Sequence, residues 1–419
     1  MNKNDLISRH GPDLSIGTGG YAVVLTCVDK DRHRHNTTFA DELSPGLISR
    51  GVDVRCLDYI RDIRQVSNAL QDPACLFFVC FNGFGSELMV NLAPGHLLST
   101  FDHHSKPLFD LMHDCPVHET MAHQIDSTGS YRQLLITDHS YAHLARVLGV
   151  RSVHTVPSIT FPKTVGDSNA PLETRSINIL LPVGLSNAAW TTERFGIASN
   201  YRSRVFREIF AAVTERASDD LQLDPLIETL LAFQEVPMPA DLRDPDVRFL
   251  ITSILDYVKF ERRDRLIRHI QHLPVTVIAD RNVRDVYKDT QLKFVEQQSF
   301  PDLIATMSNA KTVICPLPHH TGFHEHALSA FSAGAAVIAA PNEVLESNFT
   351  EEREILGYQS HQHLAALLED CLAGKVDLQS IASRGREKAM SRFAPGRIAE
   401  IILSRYVSAM NRRSRAGTT

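Results

Sequence analysis

The sequence predicts an α/β chain of two Rossmann-like halves, each a parallel sheet flanked by helices, with a helical insertion in the second half. Three observations carry that expectation. Short continuous apolar runs, such as residues 22–28 and 75–81, have the pattern of strands covered on both faces. These runs alternate with helix-periodic segments, which argues a doubly wound parallel sheet. A Pro-, Thr-, Ser-, Gly- and Asn-rich stretch at 158–174 separates two such series and reads as a linker. At 419 residues the chain is also too long for one ordinary core.

Taken in order, 1–20 reads as a flexible N-terminus and 22–28 as the first strand. Phe39, Leu43 and Leu47 recur at four-residue spacing, a helix face that Pro45-Gly46 is expected to kink or shorten. Strands follow at 52–57 and 75–81, a helix after Gly85, and a strand at 108–113. A helix over 117–125, a strand at 133–137, a helix at 141–148 and a strand at 152–156 complete a first domain, 21–157. The second domain, 175–394, opens with a buried strand at 176–183. A mainly helical region, 201–272, has few turn signals, and alternation then resumes with strands at 275–279 and 292–295. A helix at 303–309, a strand at 312–315, a helix at 325–333 and a strand at 335–339 follow. Residues 395–411 form an amphipathic helix with Ile398, Ile401, Ile402 and Tyr406 on its inner side, and 412–419 is a basic tail.

Composition excludes several classes. With 43% hydrophobic and 22% charged residues the chain is of globular type. A net charge of −6 supplies no field that would gather a nucleic acid. The seven cysteines form no CxxC pair, which suits reduced thiols in the cytoplasm. No apolar stretch reaches the length of a membrane span and no secretory signal is visible. Peripheral membrane contact and oligomeric state stay open. No Walker loop, G-x-S-x-G or G-x-G-x-x-G is present, which removes the commonest ATPase, hydrolase and dehydrogenase readings.

The most informative stretch reads N-A-K-T-V-I-C-P-L-P from Asn309, then H-H-T-G-F-H-E-H-A-L-S-A-F-S-A-G-A-A-V-I-A-A-P-N. Physically this is a strand, a loop containing Gly322, a helix of small and apolar residues stopped at Gly334, and another strand. The helix start near His324 offers free N–H groups and a positive dipole end, a construction that suits a diphosphate.

This stretch resembles the nucleotide-sugar-binding half of glycosyltransferase B enzymes, closest to the CgeB-like branch of the family-1/family-4-type transferases. The core of that branch reads approximately G-x-H-E-R-x-x-E-x-x-A-x-G-x-x-V. Arg262 and Arg263, the strand 275–279, Phe349 and Glu354 extend the likeness. The final helix corresponds to one that crosses back to the N-terminal domain in that family. The resemblance covers about the last 170 residues, and the first domain only in topology. It implies a metal-independent transfer of a sugar from a nucleotide-diphosphate sugar to an unnamed acceptor, with no resident cofactor. The second domain would hold the donor and the first the acceptor.

Two departures stand out. Ser329 occupies the place of an acidic ribose ligand, and His326 that of the Arg of H-E-R, so two charge-assisted contacts are lost. The donor contacts expected on this basis are Gly184, Arg281, His320, Thr321, Gly322, Phe323, His324, His326 and Ser329. The catalytic candidates are Asp114, His118 and Glu325, and the acceptor-side residues are Asn82 and Gly83. Asp114 and His118 lie in D-C-P-V-H after a strand, where a base reaches an acceptor hydroxyl or a cation is steadied. Helix capping is the alternative for Asp114 and the favoured reading for Asp138. The cluster Asp102-His103-His104 with His113, His118 and His123 carries no complete metal signature. The D-x-D matches at Asp29 and Asp244 are weak. A sugar-nucleotide epimerase or hydrolase, and a non-catalytic transferase-like partner subunit, remain alternative readings.

Overall fold

The computed structural model describes residues 19–93, 96–118, 121, 125, 129–166, 170–184, 201–236, 241–279, 285–287, 289–316, 321–322 and 324–416. Fourteen strands lie within them. The first sheet comprises β1 (Tyr21–Thr26), β2 (Asp53–Asp58), β3 (Cys75–Phe81), β6 (Leu108–Met112), β7 (Arg132–Ile136) and β8 (Val153–Thr155) in the order β2-β1-β3-β6-β7-β8. The second comprises β9 (Ile177–Pro182), β10 (Val275–Ile278), β11 (Lys293–Val295), β12 (Ala310–Cys315), β13 (Ala336–Ala339) and β14 (Leu356–Gly357) in the order β11-β10-β9-β12-β13-β14. All pairings in both sheets are parallel. The expected pair of doubly wound sheets is thus present, because their central strands are buried along their length.

Two local expectations change. The segment after Gly85 is not helical: β4 (Met89–Ala93) and β5 (His96–Ser99) form an antiparallel hairpin, with Met89, Leu92 and Leu97 exposed. The helix His35–Ile48 runs through Pro45 without a break. A proline near a helix end deletes only one bond of the ladder. Gly46 instead serves packing, since a Cβ there would come within 3.1 Å of the Gly396 backbone. That contact belongs to the final helix, Pro395–Ala416, which crosses back onto His35–Ile48. Its Ile398, Ala399, Ile402 and Leu403 join the core of the first sheet. The helix expected over 117–125 falls largely outside the described residues.

The helical insertion consists of Tyr201–Asp219, Pro225–Gln234 and Pro245–Ile270. In sequence it follows β9, but most of it packs on the first half of the molecule. Val205, Phe206, Ile209, Val213, Leu250 and Ile254 share a core with Met112, Leu134, Ile136 and Tyr141. The far end of the same long helix, Leu266, Ile267 and Ile270, packs with β9, β10 and β12. One 26-residue helix therefore spans about 39 Å and ties the two cores together. Among the described residues no helix is long and apolar enough to cross a membrane.

Candidate active site

The carboxyl ends of both sheets face one cleft, the usual ligand position for open parallel sheets. From the first sheet come Asn82 after β3, His113 and Asp114 after β6, and Thr137 and Asp138 after β7. From the second come Val183 and Gly184 after β9, Ala279 after β10, and Gln297 and Gln298 beyond β11. With His35, Gly322, His324, Glu325 and His326 they enclose a cavity of about 370 Å³. A second cavity, about 200 Å³, lies under the long insertion helix. Among the described residues Asp114 is the one that lines both.

Glu325 begins the helix Glu325–Ser332, with His324 as its cap. One carboxylate oxygen lies 3.7 Å from His324 Nδ1, and the other lies 3.9 Å from His35 Nε2 across the cleft. Burial pushes this carboxyl up, but the surrounding imidazoles of His324, His326, His35 and His113 hold it well below the usual carboxylate range. Burial in turn pushes His326 and His113 down to about 3 and lowers His324. At neutral pH the carboxylate therefore lies beside the neutral imidazoles of His113, His324 and His326. His324 Nδ1 accepts the His326 N–H at 3.2 Å, which leaves its Nε2 as the protonated, donating nitrogen. The ligand atoms of His324, Glu325 and His326 lie within 4.8 Å of one another, close enough to share a cation. Coordination through His324 Nδ1 would displace its capping bond.

Asp114 opens into the cleft from between the lobes. Its side chain is exposed to the cleft, yet the protein crowding it from both lobes pushes its carboxyl above the usual range, and the Glu325 charge adds to the effect. His118 Nε2 faces Asp256 Oδ2 at 3.8 Å, and Lys259 binds the other Asp256 oxygen at 2.5 Å. Burial raises Asp256, but the nearby His118 imidazole and Lys259 bring it down to about 2. Asn82, at φ +47°, accepts the His113 N–H at 2.8 Å. Gly83 donates to Asp110, a buried carboxylate that also pairs with Arg132. Asn82 thus lines the larger cavity while Gly83 shapes the turn behind it.

The turn at 321–322 bridges the lobes. Asp138 Oδ1 caps the helix His139–Val147 through the Tyr141 N–H at 3.0 Å, as the capping alternative anticipates. The same oxygen accepts the Thr321 hydroxyl at 2.9 Å, and His139 N–H donates to the Thr321 carbonyl at 3.1 Å. The space a side chain would fill at Gly322 is taken by Asp138, since a Cβ would stand 2.4 Å from Asp138 Oδ2. Gly322→Ala is therefore expected to destabilise the chain by about 1–3 kcal/mol, read by denaturant unfolding; an unchanged midpoint would mean that this contact is dispensable.

The remaining candidates divide cleanly. Ser329 is fully buried and donates its hydroxyl to the Glu325 carbonyl at 2.7 Å, so it lines neither cavity and offers no ribose contact in this conformation. Arg281, His320 and Phe323 lie outside the described residues, as does His123. Gly184 carries its carbonyl to Arg263 Nη1 at 2.6 Å. Arg263, absent from the expected donor contacts, has its Nε buried without a partner, and Glu325 is the leading charge acting on it. Its neighbour Arg262 is structural, donating to the carbonyls of Ala217, Asp220 and Leu223 at 2.7–2.8 Å. The D-x-D matches are also structural. Asp29 pairs with Arg61, Asp31 accepts the Asn36 and Thr37 N–H groups, and Asp244 caps the long helix. Asp102 accepts the Ser130 and Tyr131 N–H groups.

Comparison with known proteins follows this geometry. A family model described as glycosyl transferase-like matches residues 262–404, a general description that does not single out the CgeB-like branch. No curated protein matches the chain in sequence. A sucrose-phosphate synthase from Thermosynechococcus elongatus superposes with a TM-score of 0.52 at 12% identity, over 94% of this chain and 99% of that one. Anabaena HepE in complex with UDP gives a TM-score of 0.47 at 11% identity, over 93% and 100%. AviGT4, a glycosyltransferase involved in avilamycin A biosynthesis, gives 0.48 at 11% identity, over 93% and 98%. This chain therefore has the glycosyltransferase B fold, and its residues 262–404 match the glycosyl transferase-like family model.

Proposed function

We propose that the protein transfers a sugar from a nucleotide-diphosphate sugar to an acceptor hydroxyl, without an obligatory metal. The observation that carries this reading is the convergence of Asp114, Gly184, Gly322, the 324–326 helix start and the ends of both sheets on one cleft, with Arg263 bonded to the Gly184 carbonyl. Residues 175–394 supply the donor side, residues 21–157 the opposite wall, and 158–174 joins them. The diphosphate lies near Gly184, where Arg263 and the start of the helix at Glu325 supply positive potential. Glu325 and the neutral imidazoles of His324 and His326 hold sugar hydroxyls. Asp114 takes the proton of the attacking hydroxyl, its carboxyl held above the usual carboxylate range and so a stronger base than an ordinary aspartate. All seven cysteines are free, which fits a cytoplasmic setting.

A thermal-shift screen of nucleotide sugars, followed by detection of a glycosylated product, tests the assignment; a chain that ignores every donor contradicts it. That outcome would support the partner-subunit reading, which the buried Ser329 favours. Arg263→Gln is expected to weaken nucleoside diphosphate binding about 10- to 150-fold, as for a lost hydrogen bond to a charged group. Calorimetry reads the change, and unaltered affinity would remove Arg263 from the donor site. Chelation with EDTA is expected to leave transfer unchanged. Activity lost to the chelator and restored by a divalent cation would instead give the His324-Glu325-His326 cluster a metal.

A further inference from the structure

The smaller cavity lies on the other side of Asp114 from the proposed donor space, and its inner wall is the insertion helix Pro245–Ile270. We propose that it is the acceptor pocket, and that the acceptor group it takes is a small polyhydroxylated ring of monosaccharide size. This inference rests on the transferase reading and adds the substrate class to it.

Three features lead there. Placement comes first: among the described residues Asp114 lines both cavities, so a hydroxyl presented from the smaller one has the base beside it on the donor side. Size comes second. A cavity of about 150 Å³ takes a benzene ring, so about 200 Å³ holds one substituted ring and leaves a lipid tail or glycan chain outside. Chemistry comes third. Asp114, Asp256 and His118 offer planar acceptors, and Lys259 offers donors, the combination that reads neighbouring hydroxyls in pairs. Leu255, Val258, Leu266 and Ala340 supply apolar surface for the C–H faces of such a ring. Asp256 is held ionised by Lys259 and His118, so it presents a fixed acceptor.

In the reaction the acceptor oxygen forms a bond to the anomeric carbon. The bond from that carbon to the diphosphate oxygen breaks, its electron pair leaving on the diphosphate. The hydroxyl proton passes to the Asp114 carboxylate.

The test uses saturation-transfer NMR on the full chain with free glucose, galactose, mannose, fructose and myo-inositol as sugar probes, and with UDP, GDP and ADP as nucleotide probes. Leu255→Trp fills the pocket, and Asp256→Asn removes its carboxylate without changing its volume. At least one sugar is expected to signal with the wild-type chain and to bind about tenfold more weakly in each variant, a loss of about 1.4 kcal/mol. Nucleotide signals should be equal in all three proteins. If Leu255→Trp fails to fold, Asp256→Asn decides. Silence of every sugar on the wild type, or sugar signals untouched by the variants, overturns the pocket. Sugar signals that behave as expected beside silent nucleotides uphold the pocket and overturn the donor reading instead.

Discussion

Asp114→Asn is expected to lower the rate of transfer by about 10²- to 10⁴-fold, the range for removing a general base, while nucleotide binding and the fold persist. The asparagine keeps the shape at the junction of the two cavities but cannot take a proton. The pH profile supplies a second readout. A base must be ionised to act, so kcat/KM of the wild type should rise with pH through the Asp114 pKa. Crowding by the two lobes and the Glu325 charge raise that pKa, which places the acid limb above the ordinary carboxylate value of about 3.9. In Asp114→Asn that limb should disappear. An unchanged limb would assign the base elsewhere, with His118 next in line because it lines the same smaller cavity.

Glu325→Ala is expected to reduce transfer on the order of 10²- to 10³-fold, the scale for losing one preorganised electrostatic contact in a closed site. The carboxylate is the only acid in the 324–326 segment and the common neighbour of His35, His113, His324 and His326. Removing it takes away the acceptor for sugar hydroxyls, leaving Arg263 to hold the diphosphate. Nucleoside diphosphate affinity should therefore change much less than the transfer rate. Circular dichroism and a melting curve check that the helix at 325–332 survives. Full activity in this variant would remove the carboxylate from the mechanism.

Much of the fold is written locally in the chain. The strand β3 coincides with the apolar run 75–81, because a strand buried on both faces needs no alternation and is bounded by polar turns. The insertion is legible as helix, since 201–270 contains few turn signals. Its destination is not: which sheet an amphipathic helix covers depends on surfaces brought together only by folding. The hairpin after Gly85 was hidden for a related reason, as exposed Leu92 and Leu97 give β4 and β5 no half-buried alternation to read.

The site shows the same division. Asp114 and Glu325 are recognisable from their places at a strand end and a helix start. Arg262 and Arg263 are not distinguishable in sequence, yet a turn of about 100° between adjacent helix positions sends one to three backbone carbonyls and the other to Gly184. The small residue at 322 likewise answers to Asp138, some 180 residues earlier, a contact no local pattern encodes. His35 enters the site through the first helix of the opposite lobe, with no motif around it.

The most direct measurement is a crystal structure with the nucleotide sugar identified in the donor screen. The expected result is a diphosphate between Gly184 and the 324–326 helix start, within hydrogen-bonding reach of Arg263, with the anomeric carbon turned toward Asp114. A nucleotide seated elsewhere on the molecule, with the space between the two sheets unaltered, would contradict the account.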